Sequence, residues 1–340
     1  MISEDKIHIA NVLLTRRCNL NCSYCAITKN QGRIPAYPKM DWYKDNELIS
    51  EKWIQIIKRL RLNNKDMFFI FYGGEPLLYS ELSDILKYCN ENNVNYTVIS
   101  NNTDGVQKRI EEVISKIGKF KGFTSSVDPI ENWKEHKNKE LSDIEKKSMC
   151  GILRLSDMKR KGIADDVVAE ITATSQNIKY LYNTIKILTD NGIWSSITAI
   201  DDKKNDLYDF STIEDQSLML QPTKEVRDIF TKIQEDKSLL VHMPELLDEL
   251  FKVLPSNMKC KIYENVHNIC LDSDGSFRLC LRIRGISTPC ISVKGGIFSD
   301  GRPSGSLLDA LEYDYNNFCL GCNWTCMLIS QQDINRILNH

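Results

Sequence analysis

The apolar positions of this chain change period again and again over its first two thirds. Residues 7–14 are a short run dominated by Ile, Ala, Val and Leu, of a length that suits a strand. Over 46–62 the spacing turns helical, with Leu48, Ile49, Trp53, Ile56, Ile57 and Leu60 recurring at three- and four-residue intervals. Residues 67–72 are almost continuously apolar, as a parallel strand covered on both faces requires. The alternation continues with a helix over 80–92, a strand over 96–100, a helix over 106–117 and a strand over 122–127. Two more strands, 167–174 and 194–200, flank a helix over 178–191. Six strands with intervening helices predict an α/β fold with a parallel sheet and crossover connections. Ligands of such sheets gather at the carboxyl ends of the strands. The densely charged stretch 131–147 reads as a solvated helix or mobile loop over that end, or as a plain solvent-facing connector.

From about residue 221 the pattern changes. Helical stretches over 224–233 and 243–254 lead to Pro255 and then to a cysteine-rich segment. With 340 residues the chain can build one large domain and one smaller one, and the change of pattern divides it into 1–220 and 221–340. Apolar residues make up 42% and charged residues 26%, the balance of a soluble globular protein. A net charge of −2 supplies no basic field for nonspecific nucleic-acid binding. No stretch approaches the ~20 apolar residues needed to span a bilayer, and residues 1–6 lack the basic start and apolar run of a secretory signal. Twelve cysteines, most of them in two patches, point to metal or redox sites rather than a disulfide scaffold. The expectation is a cytoplasmic, oxygen-sensitive enzyme with neither a membrane nor a nucleic acid as partner.

The first patch follows the first strand directly: Thr15-Arg16-Arg17-Cys18-Asn19-Leu20-Asn21-Cys22-Ser23-Tyr24-Cys25, a C-x3-C-x2-C run. Three thiolates on one tight loop can hold three corners of a [4Fe–4S] cluster and leave the fourth iron open to an exchangeable ligand. A structural zinc site wants four protein ligands, usually as two separated pairs, and no fourth Cys or His follows nearby. A second motif lies about fifty residues on, where Phe68-Phe69-Ile70-Phe71-Tyr72 runs into Gly73-Gly74-Glu75-Pro76.

These two motifs together resemble the signature of radical S-adenosylmethionine (SAM) enzymes. The resemblance implies a partial (β/α)6 TIM-like barrel in which the methionine amino group and carboxylate chelate the open iron. It assigns Gly73, Gly74, Glu75 and Pro76 to the amino group, with Glu75 accepting from an ammonium-like nitrogen. Tyr24 is implied to pack near the adenine. Of the polar strand-end residues Ser100, Asn101, Asn102, Ser125, Ser126 and Asp128, Ser126 is the preferred ribose contact. Glu170, Thr172 and Thr174 alternate along a later strand and share one face, either the barrel interior or an outward polar face.

The second patch holds Cys260, Cys270, Cys280, Cys290, Cys319, Cys322 and Cys326. Asp272-Ser273-Asp274-Gly275-Ser276-Phe277 reads as the turn of a hairpin that brings Cys280 back towards Cys260. A pair from the hairpin and a pair from Cys319-x2-Cys322 make a four-thiolate site, for which spacing alone allows zinc. The arrangement resembles the C-terminal SPASM and twitch extensions, small α+β domains that hold auxiliary iron–sulfur clusters. The C-x9–15-G-x4-C element matches Cys260, Gly275 and Cys280, whereas the downstream spacing departs from SPASM. One auxiliary [4Fe–4S] cluster is expected on Cys260, Cys280, Cys319 and Cys322, with Cys326 as the substitute ligand. Cys270, Cys89 and Cys150 read as structural thiols.

The resemblance implies reductive cleavage of SAM to a 5′-deoxyadenosyl radical that removes hydrogen from a substrate, with flavodoxin or ferredoxin as reductant. The first substrate class is a ribosomally made peptide, modified by crosslink, thioether, epimerisation or oxidation. The first strand starts within about ten residues of Met1, so peptide recognition is expected to come from a separate protein. The alternative is a small carbohydrate or nucleoside, and a noncatalytic iron–sulfur or zinc protein is the remote third reading. No residue is assigned as catalytic from the sequence.

Overall fold

A computed structural model describes residues 8–22, 24–25, 47–62, 64–130, 143–199, 216–242, 244, 247, 268–273, 275 and 277–278. The strands are β1 (Ile9–Thr15), β2 (Phe68–Gly73), β3 (Asn95–Ser100), β4 (Phe120–Val127), β5 (Ala164–Ala173), β6 (Trp194–Ala199), β7 (Asn268–Leu271) and β8 (Phe277–Arg278). The helices are α1 (Ser50–Arg61), α2 (Leu82–Glu91), α3 (Gln107–Ile117), α4 (Asp143–Arg160), α5 (Leu181–Asp190) and α6 (Lys224–Glu235). One sheet takes the strands in the order β6-β5-β4-β3-β2-β1-β7-β8. Every pairing from β6 to β7 is parallel, and only β7 with β8 is antiparallel.

Because β1 to β6 are neighbours in sequence order, each right-handed crossover lays its helix on the same side of the sheet. The burial pattern agrees. Leu271, Val12, Phe71, Val98, Phe123 and Val167 form one row across six strands, all buried on the helix side. The helices meet that row with stripes at i, i+3, i+4 and i+7: Trp53, Ile56, Ile57 and Leu60 on α1, and Leu82, Ile85, Leu86 and Cys89 on α2. Cys89 is thus a core thiol, and burial pushes its pKa up to about 12. The α3 helix stops at Gly118, whose φ of 81° a side chain would strain. The Thr223 hydroxyl accepts from Val226 N–H and caps α6.

The opposite face of the sheet is polar. Its rows run Asn11–Ile70–Thr97–Gly122, Ile99–Thr124–Val168–Trp194, Ser126–Glu170–Ser196 and Thr172–Thr198. Most of these side chains are half-buried, whereas their helix-side neighbours are fully covered. The fold is that of a parallel α/β sheet consistent with a partial TIM-like barrel, but it is wider than the six strands expected. β7 joins β1 directly, and the Asp272–Gly275 turn opens the expected hairpin, with Gly275 N–H donating to the Asp272 carbonyl. Cys270 is buried in β7, as a structural thiol.

Only the start of α4 falls within the stretch 131–147 that reads as a solvated helix or mobile loop, and the sequence pattern assigns nothing to 148–160. Two small polar contacts explain the miss. Ser148 is fully buried because its hydroxyl accepts from Asp128 N–H, and Gly151 sits where a Cβ would come within 2.8 Å of Ser125 Oγ. The first turns of the helix meet β4 through these small residues, and only Ile152, Leu155 and Met158 add buried apolar positions, so its apolar periodicity is weak. Residues 131–142, the 243–254 stretch apart from 244 and 247, and Cys260, Cys280, Cys290, Cys319, Cys322 and Cys326 lie outside the described residues. Among the described residues no helix is long and apolar enough to cross a membrane.

One buried ion pair ties β7 to the start of the cysteine loop. Arg16 donates from Nη2 to Asp272 Oδ2 at 2.6 Å, with both side chains nearly inaccessible to solvent. Removing one partner of a buried pair strands the other charge, so Asp272→Asn should lower stability by about 3–5 kcal/mol. Urea denaturation measures this, and a loss below about 1 kcal/mol would show that the pair is not a structural joint.

Candidate functional site

At the carboxyl end of β1 the ladder with β2 slips: Leu13 pairs with Tyr72, but Thr15 pairs with Gly73. This irregularity turns the chain out of the sheet and into the cysteine loop. The Gly73-Gly74-Glu75 backbone then packs against that loop. Gly74 N–H donates to the Thr15 carbonyl at 2.8 Å, and Glu75 N–H donates to the Arg17 carbonyl at 2.7 Å. A Cβ on Gly73 would stand 2.3 Å from the Thr15 oxygen, and one on Gly74 would stand 2.3 Å from the Arg17 oxygen. Both glycines are therefore required by the contact between the two motifs, whatever else binds there.

Glu75 is completely buried. Its Oε1 accepts from Leu77 N–H at 3.1 Å and its Oε2 from Asn101 N–H at 2.7 Å. Pro76 begins a short 3-10 turn, Pro76–Leu78, that presents the Leu77 amide. Burial pushes the Glu75 carboxyl up to about 7 in spite of these donors. A carboxylate offers about four acceptor positions, so the two backbone bonds and the Ser100 hydroxyl still leave room for one further donor.

The loop itself is held by an asparagine network. Asn101 Nδ2 donates to Asn19 Oδ1 at 2.7 Å and lies 3.9 Å from Cys18 Sγ, and Asn19 Nδ2 donates to Thr103 Oγ1 at 3.0 Å. Leu20 N–H also donates to Cys18 Sγ, at 3.4 Å. Cys25 N–H closes the turn on the Cys22 carbonyl. On the outer side, Arg17 pairs with Glu47 at 2.8 Å. Burial, with Glu75, Cys25 and Cys22 close by, pushes the Cys18 thiol up to about 11. Iron must displace that proton to bind.

Among the described residues no three His, Cys, Asp or Glu side chains converge closely enough to share one metal ion. A tetrahedral zinc ion needs that convergence. A cluster takes each thiolate on a different iron and so accepts wider spacing, and the N–H donors around Cys18 suit a cluster-bound sulfur.

Tyr24 reaches across to the end of β4, where its hydroxyl donates to Asp128 Oδ1 at 2.5 Å. Asp128 is buried and sits two residues beyond Ser126. Asp128 was one of several strand-end polar residues in the sequence; its bond to Tyr24 makes it a wall of the site. Ser126 stands half-buried on the polar face, beside Glu170. Of the alternating trio on β5, Glu170 and Thr172 lie on this polar face. Thr174 instead serves a turn, accepting from Asn177 N–H at 3.2 Å. Arg154, on the part of α4 that the sequence pattern leaves unassigned, donates to the Asn102 carbonyl and pairs with Asp104, bracing the asparagine segment.

The family model of the radical SAM superfamily matches residues 12–129, which span both motifs and end beside Asp128. GTP 3′,8-cyclase of Clostridium botulinum (strain Okra / Type B1) is 22% identical over 295 residues, covering 81% of this chain and 82% of that protein. The radical SAM cyclopropyl synthase TigE of Paramaledivibacter caminithermalis is 27% identical over 124 residues, 33% of this chain and 25% of its own length. Among solved structures, Streptococcus suis SuiB bound to S-adenosylmethionine superposes with a TM-score of 0.58 at 14% identity over 89% of this chain. This chain spans 65% of the length of SuiB, and that likeness is one of fold.

The raised pKa of Glu75 has a measurable consequence. Ionising it costs more in the folded chain than in the unfolded one, so its contribution to stability is full below pH 4.5 and fades as the pH rises through about 7. Glu75→Gln removes that dependence. From pH 5 to 8 the variant should gain roughly 1–3 kcal/mol relative to wild type in urea denaturation. A difference that stays constant over this range would contradict the assigned environment.

Proposed function

We propose that this chain, whose residues 12–129 match the radical SAM family model, uses bound SAM to start a radical modification of a ribosomally made peptide. One observation carries the proposal: the cysteine loop and the Gly-Gly-Glu turn are joined backbone to backbone at adjacent strand ends, with the Glu75 carboxylate buried beside Cys18. When bound, the cluster supplies the electron that cleaves SAM into methionine and the 5′-deoxyadenosyl radical. Cys18, Cys22 and Cys25 would hold three irons and leave one open. Glu75 would accept from the methionine amino group, exchanging a costly buried charge for a paired one. Ser126 and Asp128 line the side where ribose hydroxyls would lie, with Tyr24 fixing the Asp128 carboxylate. The surrounding sheet supplies orientation and keeps water from the reacting atoms.

The peptide assignment is supported by SuiB, which has been solved with its precursor peptide SuiA and superposes with a TM-score of 0.56. In this reading residues 221–340 carry the auxiliary cluster on Cys260, Cys280, Cys319 and Cys322, with Cys326 in reserve. That cluster would accept an electron from the substrate radical or bind the substrate. A small reducing protein such as flavodoxin or ferredoxin would feed the first cluster. The second reading, a nucleotide substrate, draws on the similarity to GTP 3′,8-cyclase over four fifths of the chain.

Two measurements decide between these. Anaerobically reconstituted Cys22→Ala should lose 5′-deoxyadenosine formation by at least ~100-fold, and undiminished cleavage would refute the radical SAM role of the loop. Mass spectrometry of peptides encoded beside this gene, incubated with the wild-type enzyme, should show a defined mass change on one of them. Turnover of GTP alone, with every peptide unchanged, would establish the second reading instead.

A further inference from the structure

Glu170 is a half-buried acid that the radical-initiating site does not use. It occupies the polar face of β5 between Ser126 on β4 and Ser196 on β6. Thr198 donates its hydroxyl to Glu170 Oε1, and Ser196 is a second hydroxyl partner. No lysine or arginine stands on the rows around it, which carry Thr97, Ile99, Thr124, Val168, Thr172 and Trp194 among the described residues. Burial holds its carboxyl above the usual carboxylate range. An acid whose described partners are two hydroxyls retains acceptor capacity for a cation.

Its depth matters as much as its charge. β5 ends at Ala173, so Glu170 lies three residues, about 10 Å, below the strand-end rim. Ser126 is the ladder partner of Glu170, so Asp128, just past the end of β4, stands two residues, about 7 Å, above the level of Glu170. Glu170 therefore lies below the level of the cofactor seat, on the face of the sheet opposite the described crossover helices. Val168 and Trp194, one row farther down, supply an apolar floor beside it.

We propose that Glu170 anchors a cationic group of the substrate, an ammonium or guanidinium at the end of an unbranched stem, held between Ser196 and Thr198. The proposal rests on the peptide reading for the identity of that group as a Lys or Arg side chain. A carboxylate fixed by two hydroxyls grips such a head by charge-assisted hydrogen bonds while the stem lies on the apolar floor. It thereby sets which C–H position is brought to the rim.

The test uses cluster-loaded, SAM-bound full-length protein under anaerobic conditions and four probes: Nα-acetyl-lysine amide, Nα-acetyl-arginine amide, the neutral Nα-acetyl-norleucine amide, and agmatine. Calorimetry on the wild type should show the lysine or the arginine probe bound at least about tenfold more tightly than the norleucine probe. Glu170→Gln should abolish that preference while SAM affinity changes by less than about twofold. Thr198→Val should reduce the preference in the same direction, and the wild-type comparison stands even if either variant fails to fold. Equal affinity for the charged and neutral probes overturns the proposal, as does failure of every cationic probe to bind below about 10 mM. A Glu170→Gln variant that weakens SAM and spares the cationic probes overturns it too. Agmatine separates the two levels of inference: tight binding of agmatine with no gain from the amino-acid backbone keeps the cation site and removes the peptide reading. A peptide that is modified without any cation preference removes only the role of Glu170.

Discussion

The contact of two stretches of backbone, with no side chain between them, holds the site together. Gly74 and Glu75 donate to the carbonyls of Thr15 and Arg17, and this is possible only because positions 73 and 74 carry no Cβ. The contact fixes where the cysteine loop leaves β1, and so where Cys18 stands. It also directs the Glu75 carboxylate inward, onto the Leu77 and Asn101 amides. Asn101 then returns to the loop through Asn19, so three consecutive strand ends are linked in a closed circuit of hydrogen bonds. The Arg16–Asp272 ion pair extends that circuit to β7 and thus to the start of the hairpin that leads into the second cysteine patch.

The two faces of the sheet divide the labour. On the helix side, rows such as Val12–Phe71–Val98–Phe123 are fully apolar and buried, and they supply the rigidity. On the other side, threonines, serines and Glu170 satisfy one another, as Thr97 and Thr124 do at 2.9 Å. Among the described residues the crossover helices α1 to α5 lie on the other face, which leaves this one half-open. Its position beneath the strand-end site suits it to be the wall against which a substrate is placed.

Much of this was legible in the sequence because the signals were local. The apolar runs of β1 to β6 and the helical stripes of α1, α2 and α3 have the correct period, and the two motifs fall where the strands end. The sequence could not say on which face of β5 Glu170 lay, since period two defines a shared face but not its direction. It offers a solvated helix only as far as residue 147 and gives little sign of the rest of α4, whose buried face mixes the small Ser148 and Gly151 with Ile152, Leu155 and Met158. Nor did it place β7 beside β1, because a pairing across some 250 residues leaves no trace in the pattern of either segment. The same holds for Tyr24: a motif position suggested proximity to the adenine, and only the fold brings its hydroxyl to Asp128.

The central claim is that the joined loop and turn form a single seat, in which the open iron of a cluster held by Cys18, Cys22 and Cys25 would meet a SAM amino group held by Glu75. Low-temperature electron paramagnetic resonance of the reduced, cluster-loaded protein tests it most directly, with spectra taken before and after adding SAM. The account predicts that SAM alters the signal of one cluster and that the change is lost or strongly reduced in Glu75→Gln. A cluster signal indifferent to SAM in the wild type would contradict it.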